Sequence, residues 1–432
     1  MPRDKDFKRL VRARMGKTGE SYTSARAHLR PAAGDQPARP HGRHPDTAAL
    51  ARLLGALGVT DPASGQPLSE AMVLGVAGGI GFAYFVFEYE ELTTLYLGGR
   101  INPYVQKADA TEAALARLGV PVEVRRTTGP AAAERQLRSA LDQGRPVIAT
   151  VDRARLHHRA VPAELRGMTP QDVMVELSDG EPVLWDLAPA PIPITWAELA
   201  EARAGVRSVK HRLVVAEAPA GPVDLAGAAA AGIADALAGM VDPPMRNFGL
   251  PGLAKWAELL TDTRDAKGWP RLLAAPGRQF QLLTWLFDWV ETSGTGGGFF
   301  RGMYAEFLEE AAGPLDRPEL AELAGDYREL AAAWTELAQA ALAADGPLAR
   351  AADLLAGRRR LLEERGGQAA AELAAIQAEL LGLAREAADP QPLDDTALPA
   401  LLAEIRRRVL QLAEREEAAV TALRAAVAGA AG

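Results

Sequence analysis

An α+β domain followed by an all-α domain and a helical tail is the architecture this sequence predicts, on three observations. Helical and strand patterns alternate between residues 45 and 219. Strand signals stop past Gly221, and residues 346–428 are rich in Ala, Leu, Glu and Arg at helical spacing. The divisions that follow are a basic helical hairpin at 1–30, a linker at 31–44, the α+β domain at 45–219, a helical domain at 223–345 and a long-helix tail at 346–432.

Each element has a local reason. In the arm, KDFKRLVRARM and YTSARAHL are two short helices, with Gly16 able to end the first and Ser21 to cap the second. RPAAGDQPARPHGRHP has no apolar period and reads as a linker. A helix from about Asp46 to Leu57 then places Ala49, Leu50, Leu53, Leu54 and Leu57 on one face. Ser69 caps a second helix, SEAMVLGVAGG, ahead of strands at GFAYFVFEYE and LTTLYLGG. A helix at ATEAALARLG, a strand at PVEVRRTT, a helix at AAAERQLRSALDQG and a strand at RPVIATVD follow. DVMVELSDGEPVLWDL is a hairpin turning on Ser178, Asp179 and Gly180; ITWAELAEARAG is a helix and KHRLVVAEAP a closing strand. A leading helix and then a sheet ending in an antiparallel hairpin is the element order of a papain-like cysteine-peptidase fold. Beyond it, DPPMRNFGLPG, TRDAKGWP and TSGTGGG break a run of helices.

Composition narrows the function classes. The chain has 432 residues and no cysteine, which excludes disulfides, thiolate metal sites and a thiol nucleophile. The longest uncharged stretch, Met72 to Phe87, is short and glycine-rich for a membrane span, and MPRDKDFKRLVRARM has no apolar signal region, so a cytoplasmic protein is expected. Residues 1–44 carry 11 Lys/Arg against 4 Asp/Glu, leaving 37 against 52 in the rest. With only Phe7 and Tyr22 available to stack on bases, this arm is expected to dock on the acidic body of its own chain rather than on nucleic acid.

Two glycine-rich stretches invite a ligand reading. GVAGGIGFAY, residues 75–84, runs helix, glycines, strand, the reverse of a dinucleotide fingerprint, so close backbone packing is preferred. In ETSGTGGGFFRGMYAEFLEEA, Gly296, Gly297 and Gly298 open a helix whose first turn carries Arg301, an arrangement able to cradle a phosphate such as that of a pantetheine arm. Packing, with Phe299, Phe300, Tyr304 and Phe307 in a core, is the competing and preferred reading. Arg246 and Asn247 of MRNFGL are candidates for the same cleft.

Several stretches taken together resemble the bacterial family of the butirosin-biosynthesis acyltransferase. They are LSEAMVLGVAGGIGFAYFVFEY, RPVIATVD, VLWDLAPAPIPITWAELAEARAGVRSVKHRLVVAE, RNFGLPGLAKWAELL and GTGGGFFRGMYAEFLEEA. The resemblance covers roughly residues 44 to 340. It implies a papain-type fold, a helical domain, and transfer of an acyl group from a carrier-protein thioester to an aminoglycoside amine through a cysteine aided by histidine and aspartate. In such a triad a helix N-terminus lowers the thiol pKa, the histidine takes the proton and the carboxylate orients it. The resemblance places the cysteine at the opening helix, where HPDT has Pro45, and the histidine near TPQDVMVEL, where this chain has Gln171 and Asp172. It retains the carboxylate as Asp186.

The candidate catalytic residues are therefore Asp186, Asp172 and His44, with Pro45 at the nucleophile position. Pro45 suits a first helical position and Asp46 a cap or first-turn anion, so this helix start is expected to serve its own stability. Thr47 and Ser69 carry hydroxyls but need a base within hydrogen-bond reach. His157 and His158, in RARLHHRAVP, read as exposed loop residues and, as two adjacent histidines, make a weak metal signal. The leading expectation is a non-catalytic binding or scaffold protein of specialised metabolism, holding a small-molecule amine or an acyl-carrier pantetheine thioester, with no cofactor or metal. The alternative is an acyl or aminoacyl transferase or amidase that positions substrates for direct aminolysis. The tail helices are expected to form an internal hairpin or to pair with a second copy.

Overall fold

Pro45 determines where the first helix begins. It occupies the first position of α1 (Pro45–Ala56), where its fixed φ suits a helix and its missing N–H would have had no partner. In the computed structural model, which describes residues 41–88, 93–98, 109–292 and 297–428, His44 rather than Asp46 is the cap: its Nδ1 accepts the Asp46 N–H at 3.3 Å. The expected hairpin at 1–30, most of the linker at 31–44 and Gly296 lie outside the described residues.

Ser69 caps α2 (Glu70–Val76) by accepting the Met72 N–H. A two-stranded antiparallel ribbon follows, β1 (Ala83–Glu88) with β2 (Thr93–Gly98). Then come α3 (Ala110–Arg117), β3 (Val122–Arg125), α4 (Pro130–Asp142), β4 (Val147–Asp152), β5 (Pro170–Ser178), β6 (Glu181–Trp185), β7 (Ile192–Pro193), α5 (Trp196–Gly205) and β8 (Leu213–Ala216). The six strands β3 to β8 form one sheet in the order β3-β8-β4-β5-β6-β7, every pair antiparallel. The β5–β6 hairpin turns on Asp179 (φ 52°) and Gly180 (φ 86°), the left-handed pair that matches strand twist. Strand β8, last in sequence, lies inside the sheet between β3 and β4, and the two-residue β7 is too short to leave a periodic signal.

Both faces of the sheet are covered, and side-chain alternation assigns them. Val147, Ala149, Val151, Val173 and Val175 face one core with Leu137 of α4 and Leu199 and Ala202 of α5. Ile148, Met174 and Val214 face the other, with Leu50 and Leu53 of α1. Gln171 and Asp172, neighbours in β5, consequently point to opposite faces.

That second core continues without a break into the helical part: α6 (Leu225–Val241), α7 (Gly249–Leu259), α8 (Trp269–Leu272), α9 (Arg278–Glu291), α10 (Gly298–Leu315), α11 (Glu319–Ala341), α12 (Pro347–Arg365), α13 (Ala370–Glu386) and α14 (Ala397–Ala428). The close packing expected of the Gly75 stretch is present: a Cβ on Gly75 would stand 2.1 Å from Phe307 of α10, and one on Gly232 of α6 would stand 2.0 Å from the Gly75 carbonyl oxygen. Phe82, Trp256 and Trp334 stack between the ribbon, α7 and α11. Along α14, Leu402, Ile405, Val409 and Leu412 are buried in the same core, so this face of the tail is covered within the chain. No helix among the described residues is long and apolar enough to cross a membrane.

Candidate functional site

The start of α1 is held by a carboxylate. The backbone N–H groups of Arg43 and His44 and the Thr47 hydroxyl all donate to Glu70, at 3.0, 3.3 and 2.8 Å. Burial raises the Glu70 pKa, and these three hydrogen bonds oppose that rise. The His44 ring packs edge-on against Phe300 with centroids 5.0 Å apart. Ser69 donates to Glu310 at 2.6 Å. Both candidate hydroxyls are therefore bonded to carboxylates.

Asp172 and Asp186 belong to separate networks. Asp172 accepts from Thr150, its cross-strand partner, at 2.6 Å and from Arg212 Nη1 at 2.9 Å, while Arg212 also reaches Asp109 and Glu112. Burial works against the Arg212 charge, but Asp172 and Asp109 outweigh it and hold the guanidinium pKa above its ordinary value. Asp186 accepts from His158 Nε2 at 2.8 Å and from Arg159 Nη2 at 2.8 Å; Arg159 also donates to Gln171 at 2.9 Å. Burial alone would raise the Asp186 pKa, yet Arg159 first and then His158 hold it far below the usual carboxylate range.

His158 corrects the expectation of an exposed loop pair. His157 is exposed, but His158 is only 1% exposed, and burial, with the Arg159 and His157 charges beside it, lowers its pKa against the opposing pull of Asp186. The imidazole is thus neutral near pH 7, with the Nε2 proton donated to Asp186. Its Nδ1 has no hydrogen-bond partner among the described residues. Asp186 therefore has a histidine partner, carried by the loop after β4 rather than by β5.

Arg301 follows the packing reading and not the phosphate cradle. The candidate anion clamp is fully buried, with Nε 2.8 Å from Glu416 of α14 and Nη2 donating to the Gly81 carbonyl. Trp334 donates to the same Glu416 oxygen. Gly297 and Gly298 serve packing: a Cβ on either would meet Val290 at 2.5 Å or the Ala331 carbonyl at 2.6 Å. Asn247 donates to the Tyr84 carbonyl and accepts from Lys255, which ties α7 to β1 rather than opening a cleft.

An open cavity of about 590 Å³ does border the start of α1. His44 and Pro45 line it, together with Leu165 and Leu187 from the α+β part and Phe280, Leu355 and Leu380 from α9, α12 and α13. Its volume falls in the range of roughly 300–1,000 Å³ common to small-molecule sites. Neither Asp172, Asp186 nor Arg301 is in the lining. Of the two lining hydroxyls, Thr284 donates to the Phe280 carbonyl and Thr292 to the backbone carbonyl and the side-chain carboxylate of Asp288.

Six arginines and three carboxylates line this cavity. Arg358 pairs with Asp288 at 2.5 Å, Arg359 with Glu363 at 2.7 Å, Arg159 with Asp186 and Arg43 with Glu306. Arg278 donates to Gln281 and to the Thr93 carbonyl. The Arg153 side chain has no hydrogen bond or ion pair among the described residues, and its Nε is buried without a partner. Burial, then the neighbouring Arg159 charge, lower its pKa to about 10, so it remains a cation at neutral pH. Sequence reasoning missed Arg153 as a site residue; the available signal was the cation run RARLHHR leaving a buried strand.

The comparisons with known proteins divide the chain at this cavity. Residues 44–180 match the model for butirosin biosynthesis protein H, N-terminal, and residues 197–365 match a domain of unknown function, DUF4872. The matches span 137 and 169 residues, together 306 of 432, in the arrangement of one family. The chain belongs to the butirosin biosynthesis protein H family. The family's N-terminal match opens on His44 and contains Pro45, Arg153, His158 and Asp172, whereas α9 and α12 fall in the second match, so both matched segments wall the cavity. No curated protein matches the chain.

Proposed function

We propose that this chain is a non-catalytic homologue of a carrier-protein-dependent acyltransferase, a binding or scaffold protein of specialised metabolism. Its N-terminal part is read as a papain-like domain in which Pro45 holds the nucleophile position. The observation that carries the reading is the lining of the cavity beside Pro45. It holds no thiol; the Thr284 hydroxyl donates to a helix carbonyl, and the Thr292 hydroxyl meets a carboxylate, Asp288, that is already paired with Arg358. Covalent acyl transfer needs a nucleophile and base in hydrogen-bond contact. What remains is a cleft able to hold a carrier-linked acyl group or a small-molecule amine.

The second reading, a transferase working by direct aminolysis, draws on the His158–Asp186 pair, which has the base-and-orienter form of a triad. Against it, the imidazole is buried and outside the cavity lining. The deciding experiment incubates the purified protein with acyl-carrier thioesters and candidate amines and follows intact mass and amide product. Unchanged mass and no amide above the uncatalysed background are expected. An acyl adduct or catalysed amide formation overturns the binding reading.

A further inference from the structure

The Arg153 side chain is a partly buried cation with no direct ion-pair or hydrogen-bond partner among the described residues, and the carboxylates that act on it, Asp288 and Asp186, are themselves paired with other arginines. Arg153 follows β4 directly, in the 3-10 turn Arg153–Arg155, so the sheet fixes its backbone. Part of its surface remains open to the cavity, while its Nε is closed off from solvent. A desolvated guanidinium with no partner is costly, and structures retain such groups where something else completes them. Four other lining arginines have carboxylates at 2.5 to 2.8 Å, so the positive charge without a direct ion pair is concentrated at Arg153, with Arg278 second. Leu165, Leu187, Phe280, Leu355 and Leu380 line the same cavity and make part of its surface apolar.

We propose that the cavity binds an amphipathic anion, its carboxylate or phosphate head against Arg153 and its apolar part along the leucine and Phe280 wall. The planar guanidinium fork matches either head with two N–H donors, and each such charge-assisted bond is stronger when water is excluded. An amine or a neutral alcohol of the same length gains only the apolar contacts, and the amine also meets like charge. The inference rests on the binding reading of this cleft, but names a free anion where that reading left the ligand open between a carrier-linked group and an amine.

Isothermal titration calorimetry of the full chain with decanoate, decyl phosphate, decan-1-ol and decylamine, below micelle concentrations, tests it. Decanoate or decyl phosphate binds at least about tenfold more tightly than decan-1-ol, and decylamine more weakly still. The tighter of the two anions identifies the head. Arg153→Met removes the preference for the anion, and R153K, which keeps the charge without the fork, retains part of it. Should R153M fail to fold, Ala384→Trp obstructs the cavity from α13 with Arg153 intact and is expected to abolish binding. Equal affinity for anion, alcohol and amine, no binding of any of the four, or undiminished anion binding in R153M or A384W overturns the proposal. Absence of anion binding with intact mass still unchanged sinks only the ligand class; acyl adduct formation or amide turnover sinks the non-catalytic reading whatever Arg153 does.

Discussion

Arg301 and Arg153 are both arginines carried inside, one at the opening of α10 and the other after β4, and their surroundings differ in kind. Arg301 is fully buried, 2.8 Å from Glu416, and lies beside Trp334. Arg153 has no partner and borders an open cavity. The first is an internal tie between α10 and α14. The second carries a desolvation cost that Asp288 and Asp186 offset only from a distance, with no direct partner. Burial of a charge therefore does not identify a site, whereas burial without a partner beside open space does.

The largest expected effects fall on the closed side of this contrast. Glu416→Ala removes the carboxylate paired with Arg301 in the core and is expected to cost about 3–5 kcal/mol, measured as loss of stability in chemical denaturation. The double variant R301M/E416L, which removes both charges, should recover most of that loss, and a double variant as unstable as E416A would show that the pair is not what holds α14. Next in size, Gly232→Ala drives a Cβ onto the Gly75 carbonyl oxygen, a backbone atom that cannot rotate away. Overpacking of this kind costs about 1–3 kcal/mol or more. An unchanged melting midpoint for G232A would contradict the close α2–α6 approach.

On the open side the sign reverses. Arg153→Met exchanges an unpartnered cation for a neutral side chain, so the ligand-free protein should melt at the same temperature or higher. A fall of several degrees would mean that Arg153 already has a partner in the folded state. Last comes a pH effect at the neighbouring His158. Its folded pKa lies below the unfolded value of about 6.5, so the unfolded chain binds the extra proton and stability falls as pH drops below about 6.5. His211, whose pKa burial also lowers, acts in the same direction, so the test is the difference between wild type and His158→Gln. The variant should lose less of its melting temperature between pH 7 and pH 5; an identical loss would exclude His158 as a contributor.

Legibility in the sequence followed the range of the interaction. Caps and turns act within a few residues, and Ser69, Pro45 and the Asp179–Gly180 hairpin were readable as they stand. His44 as the α1 cap was not, because an imidazole seldom takes that role and Asp46 next to it is a commoner choice. The site depended on long-range pairs. His158 meets Asp186 28 residues away, and a histidine pair between arginines looks like an exposed loop until that partner is seen. Arg301 meets Glu416 115 residues away, on a tail helix that the sequence sets apart from the helical domain. A glycine-opened helix with an arginine in its first turn has the local form of an anion cradle, and only tertiary packing shows the anion to be the protein's own carboxylate. For Arg153 the local signal was a run of cations, whose meaning depends on which of them find carboxylates across the fold.

The most direct test of the contrast is the melting midpoint of wild type and R153M, each with and without decanoate. An anion that binds only the folded state must raise the midpoint in proportion to its affinity. Decanoate is predicted to raise the wild-type midpoint and to leave R153M unmoved, from a ligand-free baseline no lower than wild type. An equal rise in both proteins would contradict the account.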